Sequence, residues 1–206
     1  MNSGSTLYLA SRSPRRRELL KQIGIRFDPL LLRLASARGG PDVDEGQHSG
    51  ETPADYVERT AREKAAFGLK ALSMRSMVYR PVLAADTIVI VDGAILAKPA
   101  NADEAAAFMR RLAGRSHEVR TAIALAIQGP PLSAVSVSAV TFRALDQAEI
   151  KRYCATPEPY DKAGGYGIQG LAAIFIERIE GSYTGVMGLP LFETAQLLAK
   201  AGIRVL

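Results

Sequence analysis

Short apolar runs alternate along the chain with stretches whose apolar residues recur every three or four positions, a pattern that predicts an α/β fold. Leu7 to Ala10 reads as a buried strand. Ser11 and Ser13 then offer helix N-caps, Pro14 suits a first helical position, and Leu19, Leu20 and Ile23 form an apolar stripe that stops at Gly24. Residues 29 to 50 are mixed and read as a loop or excursion. A second helix starts at Thr52 as N-cap and runs to about Leu72, with Val57, Ala61, Lys64, Gly68 and Ala71 on one face. Lys64 is a cation on an otherwise small and apolar face.

Val82 to Val91 is the most apolar run and predicts a central strand, followed by an Asp92-Gly93 turn. Asn101 to Leu112 predicts a third helix, with Asn101 and Glu104 spaced as a capping box and Gly114 closing it. Val119 to Ile127 and Ser133 to Phe142 predict strands joined at Gly129-Pro130-Pro131; in the second, Val135, Val137, Ala139 and Thr141 alternate with Ser136 and Ser138. Asp146 caps a fourth helix with Glu149 three residues on. The glycine-rich stretch Gly164 to Gly170 precedes a predicted strand from Ala172 to Ile179, and a last helix begins near Leu189-Pro190. No repeat or linker interrupts this order, so one domain with a mixed sheet is expected over residues 1–206.

Composition narrows the class. A single cysteine, Cys154, cannot form an internal disulfide, which points to a reducing compartment. No apolar run approaches the roughly 20 residues of a membrane span, and Met1 to Ala10 carries no basic leader, so a cytoplasmic protein is expected. The net charge of +5 and pI near 9.5 favour polyanionic partners, either nucleic acid or phosphorylated small molecules. With 6% aromatics and no nucleic-acid module, the small molecules are the better match and no nucleic acid is expected.

Asp86 lies inside Leu83-Ala84-Ala85-Asp86-Thr87-Ile88-Val89. A carboxylate buried there needs a partner, a metal or a catalytic task; otherwise it is a strand-end residue facing solvent. Ser11 to Arg16 joins a strand to a helix start. Free backbone N–H groups and Arg15 and Arg16 there suit an anion, against the alternative of a solvated arginine run. Lys64, Lys98 and Lys162 could add charge together, although each taken singly reads as a surface cation. Lys162 adjoins the glycine-rich stretch, where a backbone can approach a ligand closely but no Walker loop is present. Asp44, Glu45 and Asp86 are hard oxygen donors suited to Mg²⁺ or Mn²⁺, and no His/Cys spacing suggests zinc. His117 reads as structural, and Cys154 has no chemical partner nearby.

In order along nearly the whole chain, these segments resemble the Maf family of nucleotide pyrophosphatases, first described as septum-formation inhibitors. The resemblance is carried by Leu9-Ala10-Ser11-Arg12-Ser13-Pro14-Arg15-Arg16, Thr52-Pro53, Tyr56-Val57, Arg59, Ala61-Arg62-Glu63-Lys64-Ala65 and Ala85-Asp86-Thr87-Ile88-Val89. Lys98-Pro99, Gly114, His117-Glu118-Val119, Val140-Thr141-Phe142-Arg143, Asp161-Lys162-Ala163-Gly164, Tyr166-Gly167-Ile168-Gln169-Gly170 and Val186-Met187-Gly188-Leu189-Pro190 complete it. The resemblance implies a twisted mixed sheet flanked by helices, like that of inosine triphosphatases, opened into two lobes around a nucleotide cleft, and a homodimer. Within the family, Arg15, Thr87 and Gln169 are similar to the branch acting on dTTP and UTP, where the 7-methyl-GTP branch carries Trp, Gln and Glu. Implied roles are Asp86 as general base; Ser11, Ser13, Arg15, Arg16, Lys64, Lys98, Lys162, Thr87 and Gln169 on substrate; and Glu45 with Asp86 on a divalent metal. Arg12 departs from a position that is usually small, and Gly185 from one that is usually larger. A non-catalytic nucleotide-binding regulator of cell division is the competing expectation.

Overall fold

A computed structural model describes residues 6–32 and 43–205, so part of the stretch read as a loop between 29 and 50 lies outside the described residues. Strand β1 (Leu7–Leu9) leads through helix α1 (Pro14–Gln22) to β2 (Phe27–Pro29), and α2 (Pro53–Met74) leads to β3 (Val82–Val91). β4 (Ala94–Leu96), α3 (Ala102–Leu112), β5 (Ser116–Ala126), β6 (Leu132–Phe142) and α4 (Gln147–Cys154) follow. Three short 3₁₀ turns precede β7 (Ile176–Glu180), and α5 (Tyr183–Val186) and α6 (Leu191–Lys200) end the described chain.

The strands form a mixed seven-stranded sheet in the order β2-β1-β3-β5-β6-β7, with β4 paired to β3. β1 runs parallel to both β2 and β3, as expected where helices make the return crossings. β3–β4 and β6–β7 are antiparallel; the β3–β4 hairpin turns through Asp92 and Gly93, both at positive φ. No helix among the described residues is long and apolar enough to cross a membrane.

The chain divides into two compact units, and β3 passes from the first to the second between Asp86 and Thr87. The first contains α1, α2 and α6, and its core includes Leu9, Leu20, Val57, Leu72, Leu83, Ile123 and Leu198. The second contains α3 and α4 around Val89, Leu96, Met109, Leu112, Phe142, Tyr153 and Phe175.

The helix starts follow the sequence closely. Ser13, Thr52, Asn101 and Asp146 each accept a hydrogen bond from the backbone N–H three residues on. Asp146 and Glu149 form a complete capping box, whereas Glu104 returns its bond to the Ala100 N–H rather than to Asn101. The strand expected from Ala172 starts only at Ile176, because Leu171–Phe175 coils into a 3₁₀ turn. In β6 the buried face is Ser136, Ser138, Val140 and Phe142, while Val135 and Val137 are exposed. Ser138 Oγ accepts from the Ser182 N–H at 2.9 Å, so a small hydroxyl on the inner face satisfies the turn packed against it.

Candidate active site

β3 is buried along its length except at Asp86 and Thr87. Its start pairs with β1 at Val82 and Leu83, and its end pairs with β4 from Val89. Asp86 and Thr87 fall in the stretch that neither pairing covers. The Leu83 carbonyl accepts the Ala10 N–H, the last bond from β1. Two residues on, the Ala85 carbonyl points to the same edge, where β1 has already turned away.

Arg16 takes the place of the missing strand there. The turn after β1 sets Ser13 at the helix start, with its N–H on Ser11 Oγ at 3.2 Å, and places Arg16 one turn into α1. Arg16 Nη1 donates to the Ala85 carbonyl at 2.7 Å and to Ser11 Oγ at 3.5 Å, and its Nε donates to the Gly188 carbonyl at 2.7 Å. Burial lowers the pKa of this guanidinium, and the charge of Asp86 opposes that shift. Arg16 therefore braces the Asp86 strand rather than standing as a solvated cation. Arg15, next to it, is partly exposed.

Gly68 of α2 brings in the opposing charge. A Cβ on Gly68 would lie 2.7 Å from Val82 Cγ1, so the missing side chain lets α2 rest on that face of β3. Val82, Ala84 and Asp86 share one strand face, and Lys64 precedes Gly68 by one helical turn. Lys64 Nζ accordingly lies 2.8 Å from Asp86 Oδ1 and 3.1 Å from Glu45 Oε1. The Lys64 and Asp86 side chains are 14% and 15% exposed, and Glu45 is 44% exposed.

Two carboxylates thus converge on one cationic position, and Lys64 engages only one oxygen of Asp86. No cluster of three or more His, Cys, Asp or Glu residues among the described residues could cage a metal by itself. Glu45 and Asp86 nonetheless fit a hard divalent cation, since both are oxygen donors already gathered around a cation.

The second unit carries the remaining expected residues. The Gly164 N–H donates to the Ala97 carbonyl at 3.0 Å, and Pro99 packs against Gly165, so the Lys98 and Lys162 segments lie side by side. Lys98 is exposed, Thr87 is half-buried, and Gln169 is exposed on the glycine-rich stretch. Lys162 is committed internally, to the Glu158 carbonyl at 2.8 Å and to Asp161.

Within that stretch, Gly170 makes room for a side chain of the protein itself. A Cβ on Gly170 would meet the Glu158 carboxylate at 2.3 Å, because Glu158 accepts the N–H groups of Leu171 and Ala172 at 2.6 and 3.1 Å. Sequence reasoning missed Glu158; no local pattern links it to a loop a dozen residues away. It also left Tyr56 and Arg59 without a role, although both stand in a motif that marked the resemblance. His117 is structural as expected: its Nε2 lies 2.6 Å from the Tyr166 hydroxyl, among Phe142 and Tyr166 rings. Cys154 is buried, which raises its thiol pKa.

The model of the Maf-like protein family matches residues 6–201. The chain belongs to this family. Among its Maf-like relatives, the "dTTP/UTP pyrophosphatase" of Aromatoleum aromaticum is 55% identical over 196 residues, covering 95% of each chain. The protein of the same name from Bordetella parapertussis is 56% identical, covering 97% of this chain and 94% of its own. That from Nitrosomonas europaea is 51% identical over 203 residues, covering 98% of each. The Maf-like segments around Ser11, Lys64 and Asp86 are the ones that build the site described above.

Proposed function

We propose that the protein hydrolyses dTTP and UTP to the monophosphate and pyrophosphate, with Asp86 as general base. The observation that carries this reading is Asp86 itself, held at the one opening of an otherwise buried strand by Lys64 and by the Arg16 clamp on Ala85. Relatives more than half identical over nearly their full length bear the corresponding name.

Asp86 takes a proton from a water whose oxygen bonds to the α-phosphorus, while the bond from that phosphorus to the pyrophosphate oxygen breaks. Lys64 Nζ donates to Asp86 Oδ1 at 2.8 Å and so fixes the carboxylate in place for that proton transfer. Most of the remaining work in phosphoryl chemistry is positioning and charge neutralisation. Arg15 and Lys98 have side chains open to a polyanion, whereas Ser11, Ser13, Arg16 and Lys162 shape the segments that present them. Glu45 and Asp86 would hold a Mg²⁺ or Mn²⁺ ion, which when bound neutralises phosphate charge. Gln169 is assigned the base: an amide has the donors and acceptor to match the O4 acceptor and N3–H donor shared by uracil and thymine. Thr87 and Arg15 complete that assignment.

The test is pyrophosphate release with Mg²⁺ or Mn²⁺ across dTTP, UTP, CTP, GTP, ATP and 7-methyl-GTP, with Asp86→Asn and Gln169→Glu alongside. Release from dTTP and UTP, abolished in the first variant and less selective in the second, is expected. Nucleotide binding without any turnover by the wild type would replace this reading with a regulatory one.

A further inference from the structure

Helix α2 does more than carry Lys64. Three consecutive carbonyls of the loop before it, those of Asp44, Glu45 and Gly46, are tied to α2 by side chains one turn apart. The Tyr56 hydroxyl donates to the Glu45 carbonyl at 2.8 Å. Arg59 Nη1 donates to the Asp44 carbonyl at 3.1 Å, and Nη2 to the Gly46 carbonyl at 2.8 Å. The same guanidinium grips Glu51 at the end of the loop with two bonds, Nε to Oε1 at 2.6 Å and Nη2 to Oε2 at 3.0 Å, and reaches Glu63 at 3.1 Å.

Arg59 thus directs hydrogen bonds from all three of its nitrogens onto the segment before α2, at Asp44, Gly46 and Glu51. The Glu51 carboxylate that anchors the loop end is itself 9% exposed. Tyr56 lies under the guanidinium, 5.6 Å from ring centre to Cζ. Glu45 is the loop residue whose side chain reaches Lys64, yet it is 44% exposed and has no packed core of its own to fix it. Its backbone is fixed on both sides instead.

We propose that Arg59 and Tyr56 are positioning residues for Glu45, setting the carboxylate that completes the divalent-cation site with Asp86. The proposal rests on the reading of Glu45 and Asp86 as the metal-holding pair. In this role neither side chain is itself a metal ligand. Each acts on the carbonyls that flank or belong to Glu45, as outer partners orient a metal ligand, and loss of such a partner typically weakens metal affinity by about 10–100-fold.

The experiment measures Mn²⁺ binding by electron paramagnetic resonance, with a dTTP analogue bearing an imido bridge between the α- and β-phosphorus, in wild type, Arg59→Lys, Tyr56→Phe and Glu45→Gln. The Mn²⁺ concentration giving half-maximal turnover of dTTP is read in parallel. Arg59→Lys is expected to weaken Mn²⁺ binding by about tenfold or more and Tyr56→Phe by less. The half-maximal Mn²⁺ concentration should rise in step, with kcat at saturating Mn²⁺ within about threefold of wild type. Arg59→Lys retains a positive charge but cannot span two carbonyls and a carboxylate. If it lowers only the melting temperature and leaves Mn²⁺ binding by the folded protein untouched while Glu45→Gln abolishes it, the positioning role is overturned and the metal assignment stands. If Glu45→Gln leaves Mn²⁺ binding untouched, the metal assignment falls and this role falls with it.

Discussion

The Lys64 ammonium hydrogen-bonds the Asp86 carboxylate at 2.8 Å, in a place where both side chains are largely withdrawn from water. Removing one partner of such a pair costs more than removing both, because the survivor is left desolvated and unpaired. Lys64→Met and Asp86→Asn should each destabilise the fold, by about 1–3 kcal/mol. The double variant should lose clearly less than the sum, as read from urea unfolding. Each single variant should also lose turnover of dTTP by at least about 100-fold. Strictly additive stabilities would mean that the two groups do not depend on each other in solution.

Arg16 makes a second, separable prediction. Its Nε and Nη1 donate to two backbone carbonyls, those of Gly188 and of Ala85 in β3. Arg16→Lys keeps the charge but offers one point donor, so it should leave one carbonyl poorly satisfied and cost about 1–2 kcal/mol in urea. Because Ala85 directly precedes Asp86, kcat should fall with it. A variant as stable as wild type but with a raised KM for dTTP would instead place the Arg16 charge on the substrate.

Much of this site was legible because its residues break local patterns. Asp86 interrupts an apolar run, and Lys64 interrupts a small-residue helical stripe; each anomaly has the other as its cause. Ser13, Thr52 and Asp146 could be read as caps because a cap is a local bond over three residues. What stayed hidden depends on partners far along the chain. Ser138 faces inward because Ser182 needs its hydroxyl, 44 residues away. The donors of Arg59 are spent on a loop without a periodic signal. Arg16 looked like an open cation because nothing in the sequence shows where β1 leaves β3.

Glu158 and Gly170 give a third prediction. The carboxylate occupies the space a Cβ at Gly170 would need, at 2.3 Å, while it accepts two backbone N–H groups. Gly170→Ala should therefore displace Glu158 and destabilise the protein by about 1–3 kcal/mol. In a Glu158→Ala background the same change should cost far less, since the obstruction is gone. An equal cost in both backgrounds, measured by urea unfolding, would show that the glycine is needed for some other reason.

His117 should make stability depend on pH in a defined window. Its ring is 4% exposed, its Nε2 is engaged by Tyr166, and its buried Nδ1 has no hydrogen-bond partner among the described residues. Burial is the main cause of a pKa lowered to about 4, with the nearby charge of Arg115 adding to it. In the unfolded chain the imidazole titrates near pH 6.5. Between those values the unfolded state binds more protons than the folded one, so stability rises with pH across the window. Acidification from pH 7 to pH 4 should accordingly cost up to about 3 kcal/mol from this group, levelling off below pH 4 where both states are protonated. Glu51, held down to about 2 chiefly by its hydrogen bonds from Arg59, acts in a lower window. Its contribution is present above its usual titration range and fades as pH falls towards 2. Urea midpoints at pH 7, 6, 5 and 4 for wild type and His117→Gln isolate the histidine, because the substituted chain keeps every carboxylate. A slope between pH 6 and 5 that is the same in both proteins would show that His117 is not buried neutral.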